Sequence, residues 1–526
     1  MRRNIYIVFT VLLSVVGLVF LLFNSFLWFC GLLIPFGVLW FYDVTQKKRT
    51  ILRNFPILGH IRYILEFIRP EIQQYFIADD HSELPFNREI RSVIYQRAKN
   101  IQDTIPFGTE QDILKPGYEW VLHSLAPKKV LEITSRVSVG GDKCKQPYVA
   151  SRLNISAMSF GALSKNAILA LNKGAKLGGF AHNTGEGGLS DYHLEGGGDL
   201  VWQIGTGYFG CRASDGNFDL DLFTQKAGLE NVKMIEIKLS QGAKPSHGGI
   251  LPAAKLTKEI AEIRGVPMHQ DVISPPAHSA FSTPLGLLKF VETLRTATKG
   301  KPVGFKLCIG NRKEFLGICK AMLESKILPD FITVDGAEGG TGAAPLEYTN
   351  RVGTPLNDAL SFVHNALIGI NLRKKIRIIS SGKIATGFDL ISKLAIGADM
   401  CNSARAMMMA LGCIQSRQCN TNACPTGVTT QNARLIKGLS VTDKKVRVAQ
   451  YHAATIHSFL ELLGAMGFEN PEELLPSHVM RRISVHNIQN YSQIYNNLND
   501  GDLLGKPETL PENFAQDWLA ASAKKF

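Results

Sequence analysis

Short apolar runs recur between about residue 153 and residue 404, and this repetition constrains the fold more than any other feature of the chain. Each run ends in Gly, Ser, Asn or Asp, and amphipathic helical segments separate successive runs. The runs that we interpret as strands are NISAMS (154–159), FAHNT (180–184), MIEIKLS (234–240), MHQDVIS (268–274), VGFKLC (303–308), DFITVDG (330–336), IRIISSG (376–382) and DMCNSA (399–404). Strands that alternate with helices about eight times predict a parallel (β/α)8 barrel, the TIM barrel.

The alternative is an open, doubly wound sheet. None of the predicted strands is followed by G-x-G-x-x-G, the loop that binds a dinucleotide in such sheets. The barrel is therefore the favoured fold. On the same ground, we expect no NAD(P)H site on this chain.

Glycine-rich loops follow the predicted strands, where barrel enzymes carry their chemistry. They are MSFGALS (158–164), HNTGEGG (182–188), KLSQGAKPSHGG (238–249), ISPPAHS (273–279), DGAEGGTGAAP (335–345) and SSGKIATG (380–387). The last two follow the sixth and seventh predicted strands, close to where barrels hold a phosphate on glycine N–H groups. A phosphate-bearing cofactor is the leading interpretation.

Three cysteines lie close together in the run LGCIQSRQCNTNACPTG: Cys413, Cys419 and Cys424. Clustered thiolates with a proline after the last one suit an iron–sulfur cluster, and three ligands instead of four indicate a 3Fe–4S cluster. The spacing alone leaves open that these are ordinary buried cysteines in a reducing compartment. Beside a cluster, flavin mononucleotide (FMN) is the phosphate-bearing cofactor that fits best, because both groups pass single electrons.

The N-terminal segment is strongly apolar, with no charged residue between Asn4 and Asp43. It divides near residue 24 into two stretches, 5–23 and 26–42, each near the lower length limit of a membrane-spanning helix. Arginines precede the first stretch, and the basic group Lys47–Arg53 follows the second. This charge pattern predicts a transmembrane helical hairpin in the cytoplasmic membrane, with the catalytic part facing the cytoplasm. A single span is the alternative.

We therefore predict four parts: a transmembrane hairpin (1–45), a mostly helical N-terminal extension (46–130), the barrel with its iron–sulfur loop (131–440) and a C-terminal helical extension (441–526). The net charge is +13, but the basic residues are dispersed and no nucleic-acid-binding motif is present. The sequence thus predicts a lipid bilayer as a partner, and no nucleic acid.

An ordered set of motifs carries a family resemblance. NTGEGG, IEIKLSQGAKPxxGG, ISPP, GGTGAxP, SGxIxTG and C-x5-C-x4-CPxGVxTQ occur over roughly residues 100–435. In this region the chain resembles the FMN-binding synthase domain of glutamate synthase. The resemblance implies a barrel that binds FMN and a 3Fe–4S cluster. It also implies reduction of 2-iminoglutarate, formed from 2-oxoglutarate and ammonia, to L-glutamate.

The resemblance also assigns roles to individual residues. Cys413, Cys419 and Cys424 match the cluster ligands. Glu186, Lys244 and Arg264 match residues around the oxo-acid substrate, and a dicarboxylate needs such cations. Lys306 is expected beside the N1/O2 edge of the flavin. The residues expected to bound the rest of the flavin are Met158, Ser159 and Gly161 at the ring or ribityl chain, and Gly339, Gly340, Gly342, Gly382, Lys383 and Gly387 at the phosphate.

The chain departs from the family pattern in three places. Ile250 replaces a glutamine after GAKPxxGG, HDGGTG reads AEGGTG, and DGxLxTG reads SGKIATG. These changes keep two alternatives open: a related enzyme that uses another oxo acid or an amine, and a non-catalytic electron-transfer subunit tethered to a membrane.

In the family, an amidotransferase domain with an N-terminal cysteine nucleophile hydrolyses glutamine; since no cysteine precedes Cys30, we expect no glutamine hydrolysis on this chain. We therefore expect ammonia, an amine or a separate glutaminase to supply nitrogen. Electrons are expected from a ferredoxin-like protein or a quinol.

Overall fold

A computed structural model describes residues 14, 15, 17, 26–101, 104–495 and 497–526. The chain divides into two compact units, residues 1–88 and 89–526. In the first unit, the helices are Phe26–Thr45, Thr50–Asn54 and Gly59–Ile72, followed by a π-helical turn at Gln73–Ile77. The buried Asp43 carboxylate accepts hydrogen bonds from Ile57 N (2.8 Å) and His60 Nε2 (2.9 Å), and so joins the first helix to the third.

The structure describes the second half of the predicted transmembrane hairpin and only three residues of the first. The first stretch, 5–23, lies outside the described residues except for positions 14, 15 and 17. The second stretch lies within helix Phe26–Thr45. Across the described ranges, however, no helix has both the length and the apolar character needed to cross a membrane.

The second unit is built on a closed barrel of eight parallel strands. The strands are β1 (Leu153–Ile155), β2 (His182–Asn183), β3 (Leu200–Ile204), β4 (Val232–Lys238), β5 (Val303–Leu307), β6 (Phe331–Asp335), β7 (Arg377–Ser381) and β8 (Met400–Ser403). β8 pairs with β1 through Ser403 and Ile155, which closes the sheet. The predicted (β/α)8 barrel is confirmed.

Helices surround the barrel. They are Lys165–Gly178, Asp191–Glu195, Leu220–Ala227, Lys258–Arg264, Pro284–Ala297, Arg312–Ser325, Leu346–Arg351, Leu356–Gly369, Gly387–Ala395, Arg405–Ala410, Ala433–Lys437 and Val441–Ala465. Several begin at a side-chain cap, as where Ser164 Oγ accepts from Ala167 N. The long helix Val441–Ala465 packs against Lys165–Gly178 and Gly387–Ala395, and so completes the ring after β8.

A short hairpin closes one end of the barrel. The hairpin Arg136–Val139/Tyr148–Ser151 places Val137, Val139 and Tyr148 in one apolar cluster with strand residues such as Met234 and Phe331, which fills the amino-terminal end. The remaining elements are helices Arg88–Ala98, Tyr491–Ile494 and Glu512–Ala520, and the sheet of Glu119–Val121, Val479–Arg482 and Ile488–Asn490. The barrel therefore opens at the carboxyl ends of its strands.

Two strand predictions are wrong. The run 268–274 is not a barrel strand, since only Val272–Ile273 is extended and it pairs antiparallel with Ile250–Leu251. The third barrel strand is instead Leu200–Ile204, all five residues of which are buried. This short run follows the glycine-rich EGGGD, so its local signal resembles that of a loop.

Because β3 was not among the predicted strands, the prediction that no strand is followed by G-x-G-x-x-G is also wrong. β3 is followed by GTGYFG (205–210), which has the G-x-G-x-x-G spacing. A dinucleotide site also needs a helix that begins at this loop, to place its N-terminus at the pyrophosphate, whereas the next helix begins at Leu220. The motif without its helix is a turn. Its first glycine, Gly205, lies so close to Glu186 that an added Cβ would be 2.6 Å from the glutamate Cβ.

Candidate active site at the carboxyl end of the barrel

Charged residues lie at the carboxyl ends of three consecutive strands. Lys238 ends β4, and Lys306 on β5 lies beside it in register. Lys306 Nζ is 3.1 Å from Asp335 Oδ2 at the end of β6, and both side chains are buried. Burial by itself would lower the pKa of Lys306, but Asp335, with Glu236 below it, raises this pKa above its ordinary value. Lys306 is therefore a fixed cation.

Glu186, in the loop after β2, is held ionised. Its Oε1 accepts from Lys238 Nζ at 2.7 Å, and its side chain is 17% exposed. Burial by itself would raise the pKa of Glu186, but Lys238, with Arg264 and Lys244, holds it below its ordinary value. The carboxylate fits only because Gly249 lacks a side chain, since a Cβ there would lie 2.3 Å from Glu186 Oε1.

Arg264 ends the helix Lys258–Arg264 and is buried. Its Nη2 donates to Phe160 O at 3.2 Å, and its guanidinium lies 5.1 Å from the centre of the Phe209 ring. Burial lowers the pKa of Arg264 to about 10, against the opposing effect of Glu186. Within the described ranges, its buried Nε has no hydrogen-bond partner. The arginine thus has donor capacity left for a ligand.

Lys244 lies in the loop after β4 and is only 2% exposed. Its Nζ donates to Ala343 O at 2.6 Å. Burial lowers the pKa of Lys244 to about 8, although Glu186 opposes this effect. Lys238, Lys244 and Arg264 therefore surround the single carboxylate Glu186, and the four groups together carry an excess of positive charge. Such a site favours an anionic ligand.

The loop after β1 carries three of the predicted flavin residues. Met158 is buried, and Gly161 has φ +101°, which favours glycine. A Cβ on Gly161 would lie 3.2 Å from Arg264 Nη2, and a Cβ on Gly187 would lie 2.7 Å from Ser159 Cβ. The loops after β1 and β2 thus pack closely together, and both contact Arg264.

Two cations and two glycines meet at the predicted phosphate position. Arg405, two residues beyond the end of β8, donates from Nη2 to Glu338 O at 2.5 Å. A Cβ on Gly340 would lie 2.7 Å from Arg405 Nε, and Gly382 has φ +148°. Burial lowers the pKa of Lys383, and the nearby Arg405 lowers it further. Positive charge and side-chain-free backbone are what a phosphate requires.

The other predicted phosphate glycines lie in different surroundings. A Cβ on Gly387 would lie 2.6 Å from Phe459 N, so glycine allows two helices to approach closely there. A Cβ added to Gly342 would lie 3.9 Å from the Cβ of Cys419. Gly339 N donates to Gly336 O at 2.9 Å within the same turn.

The three predicted cluster cysteines are free thiols in one loop, with Cys424 buried and the other two half-buried. Burial raises the pKa of Cys413 to about 12, and the nearby Cys419 and Cys424 add to this shift. No three His, Cys, Asp or Glu side chains in the described part of the chain converge closely enough to hold a metal ion. The prediction that these cysteines bind a cluster therefore rests on the three thiol groups themselves, and it stays a prediction.

The cysteine loop is fastened to the loop after β1. Lys255 Nζ donates to Cys419 O at 3.3 Å and also to Ala162 O. Gln431 Nε2 donates to Gly161 O at 3.1 Å and to Leu163 O at 2.9 Å. Two side chains thus connect the predicted cluster loop to the predicted flavin loop.

Sequence reasoning missed five polar residues of this region: Lys238, Lys255, Asp335, Arg405 and Gln431. Lys238 and Asp335 are the last residues of their strands, and Arg405 follows β8 after one residue. A strand-end position was thus the available signal for these three. Lys255 and Gln431 donate hydrogen bonds to loops that are distant in sequence, and no pattern in their own segments predicts these contacts.

A parallel barrel with a cationic, glycine-lined mouth at its carboxyl end defines an enzyme of the TIM-barrel class. Residues 97–469 match the family model described as the conserved region in glutamate synthase. The glutamate synthase large subunit-like protein YerD of Bacillus subtilis is 38% identical over 497 residues, which are 86% of this chain and 94% of that protein. The archaeal glutamate synthase [NADPH] of Methanocaldococcus jannaschii is 34% identical over 359 residues, or 68% of this chain and 66% of that protein.

Solved structures of lower similarity include a mutant flavocytochrome b2 with pyruvate bound, at a TM-score of 0.41 and 12% identity over 79% of this chain and 85% of that one. Mandelate oxidase with (S)-2-phenylpropionate has a TM-score of 0.42 and 15% identity over 76% of this chain and 98% of that one.

The chain belongs to the glutamate synthase family. It is an oxidoreductase of the class that acts on CH–NH2 donors, with a glutamate-synthase type of function.

Proposed function

We propose that the protein reduces 2-iminoglutarate, formed from 2-oxoglutarate and ammonia, to L-glutamate, with FMN and a 3Fe–4S cluster as cofactors. The observation that carries this proposal is the charge of the barrel mouth. Lys238, Lys244 and Arg264 supply three positive charges around the single negative charge of Glu186. This local excess of positive charge around Glu186 suits the carboxylates of an oxo acid.

The chain's own residues divide the work of binding. Arg264, with its unpaired Nε, and Lys244 bind the substrate carboxylates. Lys238 holds Glu186 ionised, so Glu186 accepts a hydrogen bond from the imino N–H and stabilises its positive charge. Orientation by these fixed groups exposes one face of the imino carbon.

The residues present suit FMN. Gly340 and Gly382 leave room beside the cations Arg405 and Lys383, where a phosphate fits. Lys306, kept charged by Asp335, suits the electron-rich edge of a flavin. When bound, the flavin would supply the hydride equivalent that the imino carbon accepts. Family membership supports the same cofactor.

The residues present also suit an iron–sulfur cluster. Cys413, Cys419 and Cys424 are free thiols in one loop, and soft sulfur ligands select iron–sulfur clusters. Lys255 donates to the backbone of Cys419, which places a cation beside these sulfurs. A cluster held there would relay single electrons.

Ile250 favours one alternative within the same chemistry. It follows Gly249, which contacts Glu186, and stands where the family has a glutamine. A less polar wall suits an oxo acid or amine with an alkyl group in that position. The electron donor that we propose is a ferredoxin-like protein or a quinol. We also retain the proposal of a cytoplasmic-membrane location through the apolar N-terminal segment, which fractionation of cells would test.

The direct test is an anaerobic assay of purified protein with 2-oxoglutarate, ammonium and a reduced dye. We expect L-glutamate to form, and no glutamine to be hydrolysed. Arg264→Ala should weaken oxo-acid binding by about 2–5 kcal/mol, because a buried charge pair is broken, with FMN content unchanged. Reduction of the flavin without turnover of any 2-oxo acid in a panel would contradict the proposal.

Cofactor content is tested separately. The purified protein should release FMN and contain about three irons per chain, as three ligands imply. Cys419→Ser should lose the iron and retain the flavin. Release of FAD, or an iron-free protein with all three thiols intact, would overturn the cofactor assignment.

A further inference from the structure

The helix Gly59–Ile72 carries an apolar stripe that faces solvent. Ile61, Ile64, Leu65, Ile68 and Ile72 recur at the spacing of one helix face. Ile61, Ile64 and Leu65 are 55%, 58% and 53% exposed, and Ile68 and Ile72 are half-buried. We call these five residues the apolar stripe. A stripe of this spacing in a globular protein normally faces a core.

Two aromatic residues extend the exposed apolar surface. Phe67 on the same helix is 81% exposed, and Phe76 in the following π-helical turn is 84% exposed. Exposed apolar side chains gathered on one element in this number mark a site of interaction with a protein or a membrane. The charge around the stripe distinguishes these two occupants.

Basic residues border the stripe. Arg62 and Arg69 lie along one edge of the stripe, three and four residues from Leu65, and Glu66 is 3.6 Å from Arg62. Exposed basic side chains also lie in the preceding segment of the same unit: Lys47, Lys48, Arg49 and Arg53. Residues 46–72 contain six Lys or Arg residues and only two acidic residues, Glu66 and Glu71. This net positive charge is complementary to anionic lipid headgroups.

The stripe has a fixed orientation within its unit. Asp43 accepts hydrogen bonds from Ile57 N and His60 Nε2, at the entrance to the helix. A Cβ on Gly59 would lie 2.9 Å from Leu52 Cδ2, so this turn is closely packed. Arg49 lies 4.6 Å from the centre of the Tyr63 ring, which brings a basic residue against the helix.

We propose that residues 59–77 form an interfacial membrane-binding element, whose apolar stripe enters the headgroup region of an anionic lipid bilayer while Arg62 and Arg69 contact the lipid phosphates. A helix with isoleucine and leucine on one face and arginines along its edge, followed by an exposed phenylalanine, has the composition of such elements. This surface is distinct from the apolar segment 5–42 and from the catalytic mouth, so its failure would leave the proposed function intact.

Hydrogen–deuterium exchange of the full-length protein tests the proposal locally, whatever else binds the chain to a membrane. Amides of residues 59–77 should exchange at least about tenfold more slowly with vesicles of phosphatidylglycerol and phosphatidylcholine than without vesicles. Neutral phosphatidylcholine vesicles should protect them much less. Ile64→Glu with Leu65→Glu should abolish the protection, and Arg62→Gln with Arg69→Gln should weaken it by about fivefold per charge.

The matched control is Leu125→Glu with Ile133→Glu, two apolar residues that are 97% and 72% exposed elsewhere in the chain. This variant should retain full protection of residues 59–77, and all variants should retain FMN. Equal protection on neutral vesicles, or no protection on anionic ones, would overturn the proposal. Protection without vesicles would do so too, because it would show that another part of the chain, or a second copy, covers the stripe.

Discussion

Lys238 sets the charge of Glu186 at the barrel mouth. The two side chains form an ion pair at 2.7 Å with little exposure to water, 8% for the lysine and 17% for the glutamate. In such surroundings, loss of one partner leaves the other charge poorly compensated. Lys238 is therefore a positioning residue for Glu186.

Lys238→Met should lower the free energy of unfolding by about 2–4 kcal/mol at neutral pH. The pKa of Glu186 is depressed in the folded protein, so its stabilisation is present above its ordinary pKa and is lost as pH falls through the depressed value. In the variant this pKa rises, so the loss of stability on acidification should be smaller and should end at a higher pH. Thermal unfolding between neutral and acidic pH measures both effects, with Lys238→Arg as the charge-preserving control.

We expect Lys244 to make binding of the proposed oxo acid sensitive to alkaline pH. Its pKa is lowered to about 8, whereas that of Arg264 is about 10. Because the free enzyme loses the Lys244 proton above about pH 8, the Kd for 2-oxoglutarate should rise there by up to about tenfold per pH unit. Titration of the flavin absorbance with 2-oxoglutarate measures this Kd. Lys244→Arg should bind with an almost constant Kd up to about pH 9; an unchanged slope in this variant would exclude Lys244 as its source.

At the scale of elements, the site is held by contacts between loops and helices that are far apart in sequence. Gln431 joins the cysteine loop to the loop after β1. Helix Gly387–Ala395 begins against helix Val441–Ala465, where Gly387 meets Phe459. The Asp389 carboxylate accepts hydrogen bonds from Ala385 N and Thr386 N at the start of this helix. These two backbone N–H groups therefore already have a hydrogen-bond partner within the protein.

Gly387→Ala should destabilise the protein by about 1–3 kcal/mol, because the new Cβ would lie 2.6 Å from Phe459 N. The backbone atoms of a packed helix cannot move away cheaply. Gly310→Ala is the matched control, since no atom in the described part of the chain lies within 4 Å of its added Cβ. Chemical denaturation of the two variants should show a lower midpoint only for Gly387→Ala. Equal midpoints would show that the two helices separate easily.

At the scale of the molecule, residues 89–526 form a compact unit that includes the whole barrel and its last helix. Val441–Ala465 covers Lys165–Gly178 and Gly387–Ala395, and Arg152 Nη2 on the barrel donates to Glu472 at 2.5 Å. The segment after residue 440 is therefore part of the barrel's support.

Two deletions test this division. The chain without residues 1–88 should fold, bind FMN and show one cooperative thermal transition, because its apolar core is complete. The chain without residues 441–526 should aggregate, because it exposes the apolar faces of two barrel helices. Gel filtration and flavin absorbance distinguish the outcomes. Loss of flavin binding on deletion of 1–88 would show that the first unit is needed for the barrel.

Local patterns in the sequence determined the fold class. Apolar runs that end in small or polar residues predicted seven of the eight barrel strands, because strands of a parallel sheet are buried on both faces and read as continuous apolar segments. The sequence does not predict β3, because its five residues follow a glycine cluster. It wrongly predicts a barrel strand at 268–274, because the residue pattern of that segment resembles a strand. The cysteine spacing and the cations Lys244, Arg264 and Lys306 were also visible locally.

The tertiary structure alone decided which of these residues meet. The pairing of Glu186 with Lys238 and of Lys306 with Asp335 joins side chains from different strands and loops. Such distances depend on barrel closure and register, which no segment of the chain specifies by itself. The charges of Glu186 and Lys244 depend likewise on burial and on neighbours brought from elsewhere in the chain. The sequence alone therefore determined the chemical groups of this protein, and the closed barrel decided their partners and their charge.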